Sequence, residues 1–196
     1  MKQKYHISSI LLCAGYSSRM KSLKPLLKLN GKTFIQTIIE KLDHVSDRIG
    51  VVVGYKADEI IQHLETVNLL DEVDIIENKQ FDLGMFSSLK CALENINADW
   101  YLYHFIDQPQ LSAIFYRTLL KEVDSEIDWI QPQMNNRKGH PILFNNKVKS
   151  IIIKSRIDEN LRTISHDPLI RKKFIDFSNQ LIFQDIDTPK DFLKLI

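Results

Sequence analysis

The stretch LLCAGYSSRMKSLK, at residues 11–24, carries residue types that could bind phosphate. An apolar run ends at Gly15, small polar residues follow, and the cations Arg19 and Lys24 stand five residues apart. A glycine lets backbone N–H groups approach an anion closely, and serine hydroxyls add further donors. Arg19 and Lys24 would supply the full positive charge that a triphosphate requires. The spacing matches neither a P-loop nor G-x-G-x-x-G, so an ordinary surface turn with incidental cations is the alternative.

Acidic side chains that could hold a magnesium ion lie in two later segments. Asp107 directly follows the apolar run DWYLYHFI, and DIDTP supplies Asp185 and Asp187. Magnesium commonly binds through one or two carboxylates together with substrate phosphates. Residues 185 and 187 share a parity, so both side chains could point the same way along an extended segment. The alternatives are structural, since Asp107 could start a turn and Asp187 or Thr188 could cap a helix.

His140 is a further candidate, within the segment NNRKGHPILF. It lies between a glycine and a proline, and the proline restricts its backbone to extended conformations. The imidazole could contact a substrate phosphate or base, or it could serve a purely structural purpose. The residues alone leave both roles open.

These candidates must be positioned by strands and helices that alternate along the chain. Short β-branched or aromatic runs predict strands, and apolar residues at helical spacing predict the helices between them. A β-α unit repeated four times predicts an α/β protein with a Rossmann-like three-layer α/β/α fold and a mostly parallel sheet. Ligands of such sheets bind at the carboxyl ends of the strands, so the candidate segments should converge there. The predicted strands are 6–13, 48–54, 72–78 and 99–106, and the predicted helices are 34–45, 56–65, 85–96 and 112–123, the last capped by Ser112.

The last third of the chain has a looser pattern. EIDWIQPQ and HPILF predict strands joined by the polar turn MNNRKG, which indicates a short antiparallel excursion. The closing segment LIFQDIDTPKDFLKLI predicts a strand, a turn and an amphipathic helix, and the basic run 171–173 is interpreted as a solvated face. We predict that residues 1–196 form a single domain, a size that can bury a substantial core.

Composition and charge argue against several classes of function. The formal net charge is +1, so no global field favours nucleic acid or an anionic membrane as a partner. No apolar run reaches the roughly 18–20 residues that a membrane span requires, and the run near the N-terminus is too short and interrupted for a signal peptide. Cys13 and Cys91 are interpreted as free thiols. We therefore expect a protein of the reducing cytoplasm that acts on small molecules.

The same segments resemble the motifs of the MobA-like nucleotidyltransferases. LLCAGYSSRMKSLKPLLKLNGKTFI is similar to the family's L-x-A-G-x-S-x-R-M-x-x-x-K-x-L-L opening, and NKQFDLGMFSSLKCAL to its G-M-x-x-S-L segment. IDQPQL resembles the metal-binding D-x-P, and DIDTPKDF the closing D-I-D-T-P-x-D. KGHPILF resembles the G-H-P-x-x-F of the molybdenum cofactor cytidylyltransferase branch. The matches occur in order from residue 12 to residue 192.

The resemblance implies a Mg²⁺-dependent enzyme that transfers a nucleoside monophosphate from an NTP to a phosphorylated acceptor and releases pyrophosphate. Ala14 stands where guanylyl-transferring relatives commonly have glycine, which favours CTP. The implied acceptor is molybdopterin, and a molybdoenzyme is an implied protein partner. The residues implied to act are Arg19, Lys24 and Asp107 as catalytic groups; Leu12, Cys13, Ala14 and Gly15 with Arg19 and Lys24 at the nucleotide phosphates; Gly84, Ser87 and Ser88 near the base and sugar; Gly139, His140 and Pro141 on the acceptor side; and Asp107 with Asp187 at the metal.

The chain departs from the family pattern in two places. Lys21 replaces the glycine that commonly follows R-M, which adds a cation near the phosphates. In the segment IDENLR, Asp158 and Arg162 match the branch's G-D-x-G-A-R. Ile157 and Asn160 stand where that segment has glycines. Two other functions therefore stay open: a sugar-1-phosphate nucleotidyltransferase, and a non-catalytic nucleotide-binding module or maturation chaperone.

Overall fold

Strands and helices alternate along the chain as predicted. A computed structural model describes residues 5–178 and 180–195. No helix among these residues is long and apolar enough to cross a membrane. The strands are β1 (Ile7–Leu12), β2 (Lys28–Leu29), β3 (Lys32–Thr33), β4 (Arg48–Val53), β5 (Asp74–Glu77), β6 (Trp100–Phe105), β7 (Trp129–Met134), β8 (Arg137–Lys138), β9 (Ile142–Asn145) and β10 (Lys172–Asp176). The helices are α1 (Phe34–Asp43), α2 (Ala57–Thr66), α3 (Met85–Asn95), α4 (Ala113–Leu120), α5 (Asn146–Lys154), α6 (Leu161–Ile164) and α7 (Pro189–Phe192), with short 3₁₀ helices at Lys24–Leu26, Leu70–Glu72, Phe81–Leu83 and Gln180–Phe183.

The described residues form an eight-stranded mixed sheet with β6 and β1 near its centre. Its order is β10-β7-β9-β6-β1-β4-β5, with β8 paired to β7, while β2 and β3 form a separate hairpin. β1 is parallel to both β4 and β6, and its Leu12 lies opposite Val52 and Phe105. The loops that follow these three strands therefore leave the sheet side by side. β9 is antiparallel to both β6 and β7, which confirms the mostly parallel sheet with an antiparallel excursion.

Helices cover both faces of this sheet, because consecutive strand residues point to opposite sides. Ile7 and Leu11 of β1 belong to the core under α1, α2 and α4. Ile10 and Leu12 belong to the core under α3 and α5. The predicted cap of α4 is confirmed, since the Ser112 side chain accepts a hydrogen bond from the first turn of the helix. The predicted three-layer α/β/α arrangement is therefore confirmed.

The C-terminal third differs from the prediction at the edge of the sheet. The strand predicted for LIF is wrong, because Gln180–Phe183 form a 3₁₀ helix. The edge strand is β10, which contains part of the basic run interpreted as a solvated face. Arg171 is exposed, in agreement with that interpretation, but Arg171 and Lys173 are also paired with residues far earlier in the chain. The backbone N–H and Nε of Arg171 donate to the buried Asp128 carboxylate at 2.9 and 3.1 Å, and Lys173 contacts Glu122 at 2.6 Å.

Candidate functional site

The loop after β1 presents unpaired backbone donors at the edge of the sheet. Met20 is buried and anchors the loop in the core, and Ser17 adopts a positive φ of 53°. The backbone N–H groups from Gly15 to Arg19 donate to no acceptor among the described residues. A Cβ at Gly15 would meet no atom within 4 Å, so the loop is open there. A run of unpaired N–H groups in an open loop is suited to binding an anion.

Lys24 lies between two carboxylates and is largely enclosed. Its Nζ is 2.6 Å from Oδ1 of Asp187 and 3.6 Å from Oδ2 of Asp107. Arg19 Nη1 contacts the other oxygen of Asp187 at 2.7 Å. The Lys24 side chain is 11% exposed and that of Arg19 is 72% exposed, so Lys24 is held in place while Arg19 can reach a ligand. Two cations and two carboxylates singled out from the sequence thus meet in one cleft.

Three segments of backbone bring these charges together. Lys24 opens the 3₁₀ helix that follows the loop after β1. The Ile186 N–H donates to the Asp107 carbonyl at 2.9 Å, which ties the segment 185–187 to the end of β6. Thr188 then caps α7 in a capping box, which confirms the predicted helix start. Asp187 is therefore not needed as the cap and faces the cations.

The carboxyl group of Asp107 is buried and incompletely paired. Burial raises its pKa to about 6; Lys24 opposes the rise, whereas Asp185 and Asp187 add to it. Its Oδ1 has no hydrogen-bond partner among the described residues. Such an oxygen fits a divalent cation, which prefers carboxylate ligands. The part of the chain that is described holds no group of three or more His, Cys, Asp or Glu side chains placed to bind a metal, so an ion here would take further ligands from phosphate and water.

Asp185 and Asp187 have different surroundings. Asp185 Oδ1 accepts a hydrogen bond from Gln108 Nε2 at 2.9 Å, and burial raises the pKa of Asp185. The segment 184–187 is not a strand, so the argument from a shared parity does not hold. Gln108 was missed by the sequence prediction, although it directly follows Asp107 in IDQPQL.

Two adjoining cavities open beside the charged cluster. The smaller, of about 320 Å³, is lined by the loop after β1 and by Phe81, Gly84 and Ser88. The larger, of about 870 Å³, is lined by aromatic and polar side chains that include Tyr103, Phe105, Trp129, Gln131, His140 and Arg162. The walls of both cavities include Arg19, Asp107 and Asp187. The charged cluster therefore stands at the boundary between them.

The predicted nucleotide residues divide into those that line the smaller cavity and one that does not. Leu12, Cys13 and Ala14 line it and are buried, and burial raises the pKa of the Cys13 thiol. Ser88 lines it as well. Ser87 is not among the described residues of its wall, and its hydroxyl lies 2.8 Å from the Gly84 carbonyl oxygen. The structure thus brings Ser88, and not Ser87, to the cavity.

His140 lines the larger cavity. Its ring centroid is 4.5 Å from that of Phe105, and burial lowers its pKa to about 4, so the imidazole is neutral. Its Nδ1 is buried without a partner among the described residues. A Cβ at Gly139 would come within 2.9 Å of the Ile182 carbonyl oxygen, so this position requires glycine. The sequence prediction missed Gln131, a polar residue in buried β7, whose Nε2 donates to the Gly139 carbonyl at 2.9 Å.

The segment 157–162 forms another part of the larger cavity's wall. Asp158 is held by Arg156, with 2.8 Å between the guanidinium and the carboxylate. Asn160 caps α6 by accepting from the Thr163 N–H at 3.1 Å. The residue that replaces the second family glycine therefore has a local structural role.

Known proteins share both sequence and fold with this chain. The sequence pattern of the MobA-like NTP transferase domain matches residues 9–172. The chain is 27% identical over 188 residues to the molybdenum cofactor cytidylyltransferase of Escherichia coli, a match that covers 95% of this chain and 94% of that protein. It is 26% identical over 160 residues to a probable molybdenum cofactor guanylyltransferase of Bacillus cytotoxicus, which covers 81% of this chain and 77% of that protein.

The fold is also that of a crystallised protein, Rv0371c from Mycobacterium tuberculosis. The two share 21% identity with a TM-score of 0.80, over 98% of each chain. The same protein in complex with manganese matches at 21% identity with a TM-score of 0.75, over 97% of each chain. Because the domain pattern spans most of the sequence, from residue 9 to residue 172, the chain belongs to the MobA-like NTP transferase family.

Proposed function

We propose that this protein moves a nucleoside monophosphate from an NTP, with CTP preferred, to a phosphorylated small molecule. The observation that carries the proposal is the meeting of two cations and two carboxylates at the boundary of two cavities, namely Arg19, Lys24, Asp107 and Asp187. The smaller cavity offers donors for a triphosphate, and the larger, of about 870 Å³, has room for an acceptor. A phosphate group from each substrate would meet at that boundary.

In the proposed reaction an oxygen of the acceptor phosphate attacks the α-phosphorus of the NTP in line. A new P–O bond forms while the bond from the α-phosphorus to the bridging oxygen breaks, and pyrophosphate leaves with the electron pair. The acceptor is already anionic, so no strong general base is required. The main task of the protein is to hold two mutually repelling polyanions in position.

The residues of the cleft fit that task. The free N–H groups from Gly15 to Arg19 would bind phosphate oxygens, and Lys24 would hold its charge beside them. The exposed guanidinium of Arg19 would neutralise the leaving pyrophosphate. The partnerless oxygen of Asp107, with Asp187, would hold a divalent cation. Such an ion, magnesium in this proposal, would supply positive charge to the reacting phosphates.

Two observations support CTP as the donor, and two more support a molybdopterin-type acceptor. Ala14, which stands where guanylyl-transferring relatives commonly have glycine, lines the smaller cavity. The match to the E. coli cytidylyltransferase covers 95% of this chain, against 81% for the B. cytotoxicus guanylyltransferase. Both relatives are named for the molybdenum cofactor. The neutral His140 and the aromatic walls of the larger cavity suit a flat, partly polar acceptor.

Nucleotide binding followed by turnover tests this proposal. In a thermal-shift panel of the four NTPs with Mg²⁺, CTP should stabilise most, since a ligand at about 100 times its Kd adds about 2.7 kcal/mol. Pyrophosphate release should then follow when CTP is mixed with molybdopterin. Release with a sugar 1-phosphate alone would identify the alternative transferase, and CTP binding without release would favour a non-catalytic module. If no NTP stabilises the protein, the proposal is refuted.

A further inference from the structure

Asn78 is a buried amide that takes no part in the proposed reaction. It directly follows β5 and is 4% exposed. Its backbone N–H donates to the Val53 carbonyl at 2.9 Å, which holds it at the same sheet edge as the smaller cavity. Its Nδ2 donates to Ser87 Oγ at 2.9 Å and to Ser88 Oγ at 3.0 Å. The side chain thus connects the end of β5 to the first turns of α3.

The orientation of this amide follows from a third hydrogen bond. The Gln80 N–H donates to Asn78 Oδ1 at 2.9 Å. A backbone N–H can only donate, so the carbonyl oxygen of the amide must face Gln80 and the NH₂ group must face the two serines. Both serine hydroxyls consequently accept a hydrogen bond from Asn78.

The two serines differ in where their own hydroxyl hydrogens can go. Ser87 Oγ lies 3.0 Å from the Gln80 carbonyl oxygen and 2.8 Å from that of Gly84, so its hydrogen has an acceptor within the protein. Among the described residues, the Ser88 hydroxyl makes one side-chain hydrogen bond, which comes from Asn78. In that bond Ser88 is the acceptor. Ser88 also lines the smaller cavity. Its hydroxyl hydrogen is therefore available to a ligand in that cavity.

We propose that Asn78 is a positioning residue that makes Ser88 a hydrogen-bond donor toward the nucleoside. The inference rests on the proposed function, because it takes the smaller cavity as the nucleotide site. Ser88 would then favour a nucleoside that presents an acceptor, such as a carbonyl oxygen of the base, at this wall. A nucleoside that presents an N–H group there would be disfavoured, since it would leave the Ser88 hydroxyl hydrogen without an acceptor.

Asn78→Asp reverses this polarity while keeping the shape of the side chain. A carboxylate accepts only, so the Gln80 N–H would keep its partner while the serine hydroxyls turned their hydrogens toward residue 78. Three donors around the carboxylate would favour its charged form. Ser88 would then present lone pairs to the cavity, and CTP binding should weaken about 10-fold, the loss of roughly one hydrogen bond.

A double-mutant cycle separates positioning from general structural support. The measurement is CTP binding with Mg²⁺ by calorimetry, for wild type, Asn78→Asp, Ser88→Ala and the double variant, with thermal unfolding of each to verify folding. Ser88→Ala should itself weaken binding about 10-fold, and adding Asn78→Asp should then cost less than about 2-fold, because the effects share one hydroxyl. The control Asn95→Asp places the same charge on exposed Asn95 at the far end of α3 and should leave binding within about 2-fold.

The outcomes distinguish this inference from the proposed function. If wild type binds no nucleotide, the proposed function fails and this inference fails with it. If wild type binds CTP and Asn78→Asp weakens binding equally with and without the Ser88 hydroxyl, the inference alone is overturned. Should Asn78→Asp not fold, Asn78→Ala replaces it in the same cycle. Asn78→Ala should weaken CTP binding about 3-fold, because it leaves the Ser88 hydroxyl free to rotate. This effect must be absent when Ser88→Ala is also present.

Discussion

Asp107 should destabilise the ligand-free protein at neutral and alkaline pH, and asparagine in its place should relieve that effect. Burial in the cleft raises the pKa of Asp107 from 3.8 to about 6. At about 1.36 kcal/mol per pKa unit, the rise corresponds to about 3 kcal/mol of folding free energy. Asp107→Asn keeps the shape of the side chain and carries no charge to bury. We therefore expect the variant to be about 3 kcal/mol more stable than wild type at pH 8.

The gain should depend on pH in a direction set by the raised pKa. Below pH 3.8 both the folded and the unfolded chain hold the proton on Asp107, so the charge term is absent. As the pH rises from 3.8 to about 6, the unfolded chain ionises first, and the wild type loses stability relative to the variant. Above about pH 6 the folded state is ionised as well, so the difference becomes constant.

Thermal unfolding in the presence of a chelator measures this difference. Asp107→Asn should raise the Tm by roughly 6–12 °C at pH 8 for a chain of this size, with about half of that gain at pH 5. Asp187→Asn is the matched control, because it removes the ion pairs with Lys24 and Arg19 at 2.6 and 2.7 Å and should not stabilise. An Asp107→Asn variant with no larger gain at pH 8 than at pH 5 would refute the reasoning.

Three further perturbations test the charged cluster, the sheet edge and the core. Replacing Lys24 or Arg19 with alanine should slow pyrophosphate release roughly 10²–10³-fold, as for other charge-stabilising donors. Unchanged turnover would show that the replaced residue has no role in the mechanism. Asp128→Ala should lower the free energy of unfolding by about 1.5–3 kcal/mol in urea titrations, because it deletes charge-assisted hydrogen bonds to Arg171, directly before the edge strand β10, and a loss below about 0.5 kcal/mol would contradict this. Burial raises the pKa of both thiols, and Cys13 is 1% exposed whereas Cys91 is only partly buried; a thiol reagent should therefore label Cys91 before Cys13, and the reverse order would argue against the burial described.

Local pattern was sufficient to predict the central sheet and the place where the charges gather. The apolar runs that became β1, β4 and β6 are fully or nearly buried, so few other conformations could satisfy them. Because parallel strands end at the same edge, the loops after β1 and β6 had to emerge together. That rule by itself predicts that Arg19 and Lys24 lie near Asp107. The helices α5 and α6 were missed, and they lie where the regular alternation of strand and helix breaks down.

What the sequence by itself determined is the fold class and the meeting of cations with carboxylates, because hydrophobic periodicity and strand direction are local properties. Where two similar residues lie close together in the sequence, only the tertiary structure decided which of them contacts the candidate site. Ser87 and Ser88 are adjacent, but a helix turns about 100° per residue, so one faces the cavity and the other does not. Asp185 and Asp187 divide in the same way, since Gln108 holds one and Lys24 the other. The orientation of each side chain depends on hydrogen-bond partners about 10 to 160 residues away in the chain. A local sequence pattern does not encode how close such distant residues lie in space.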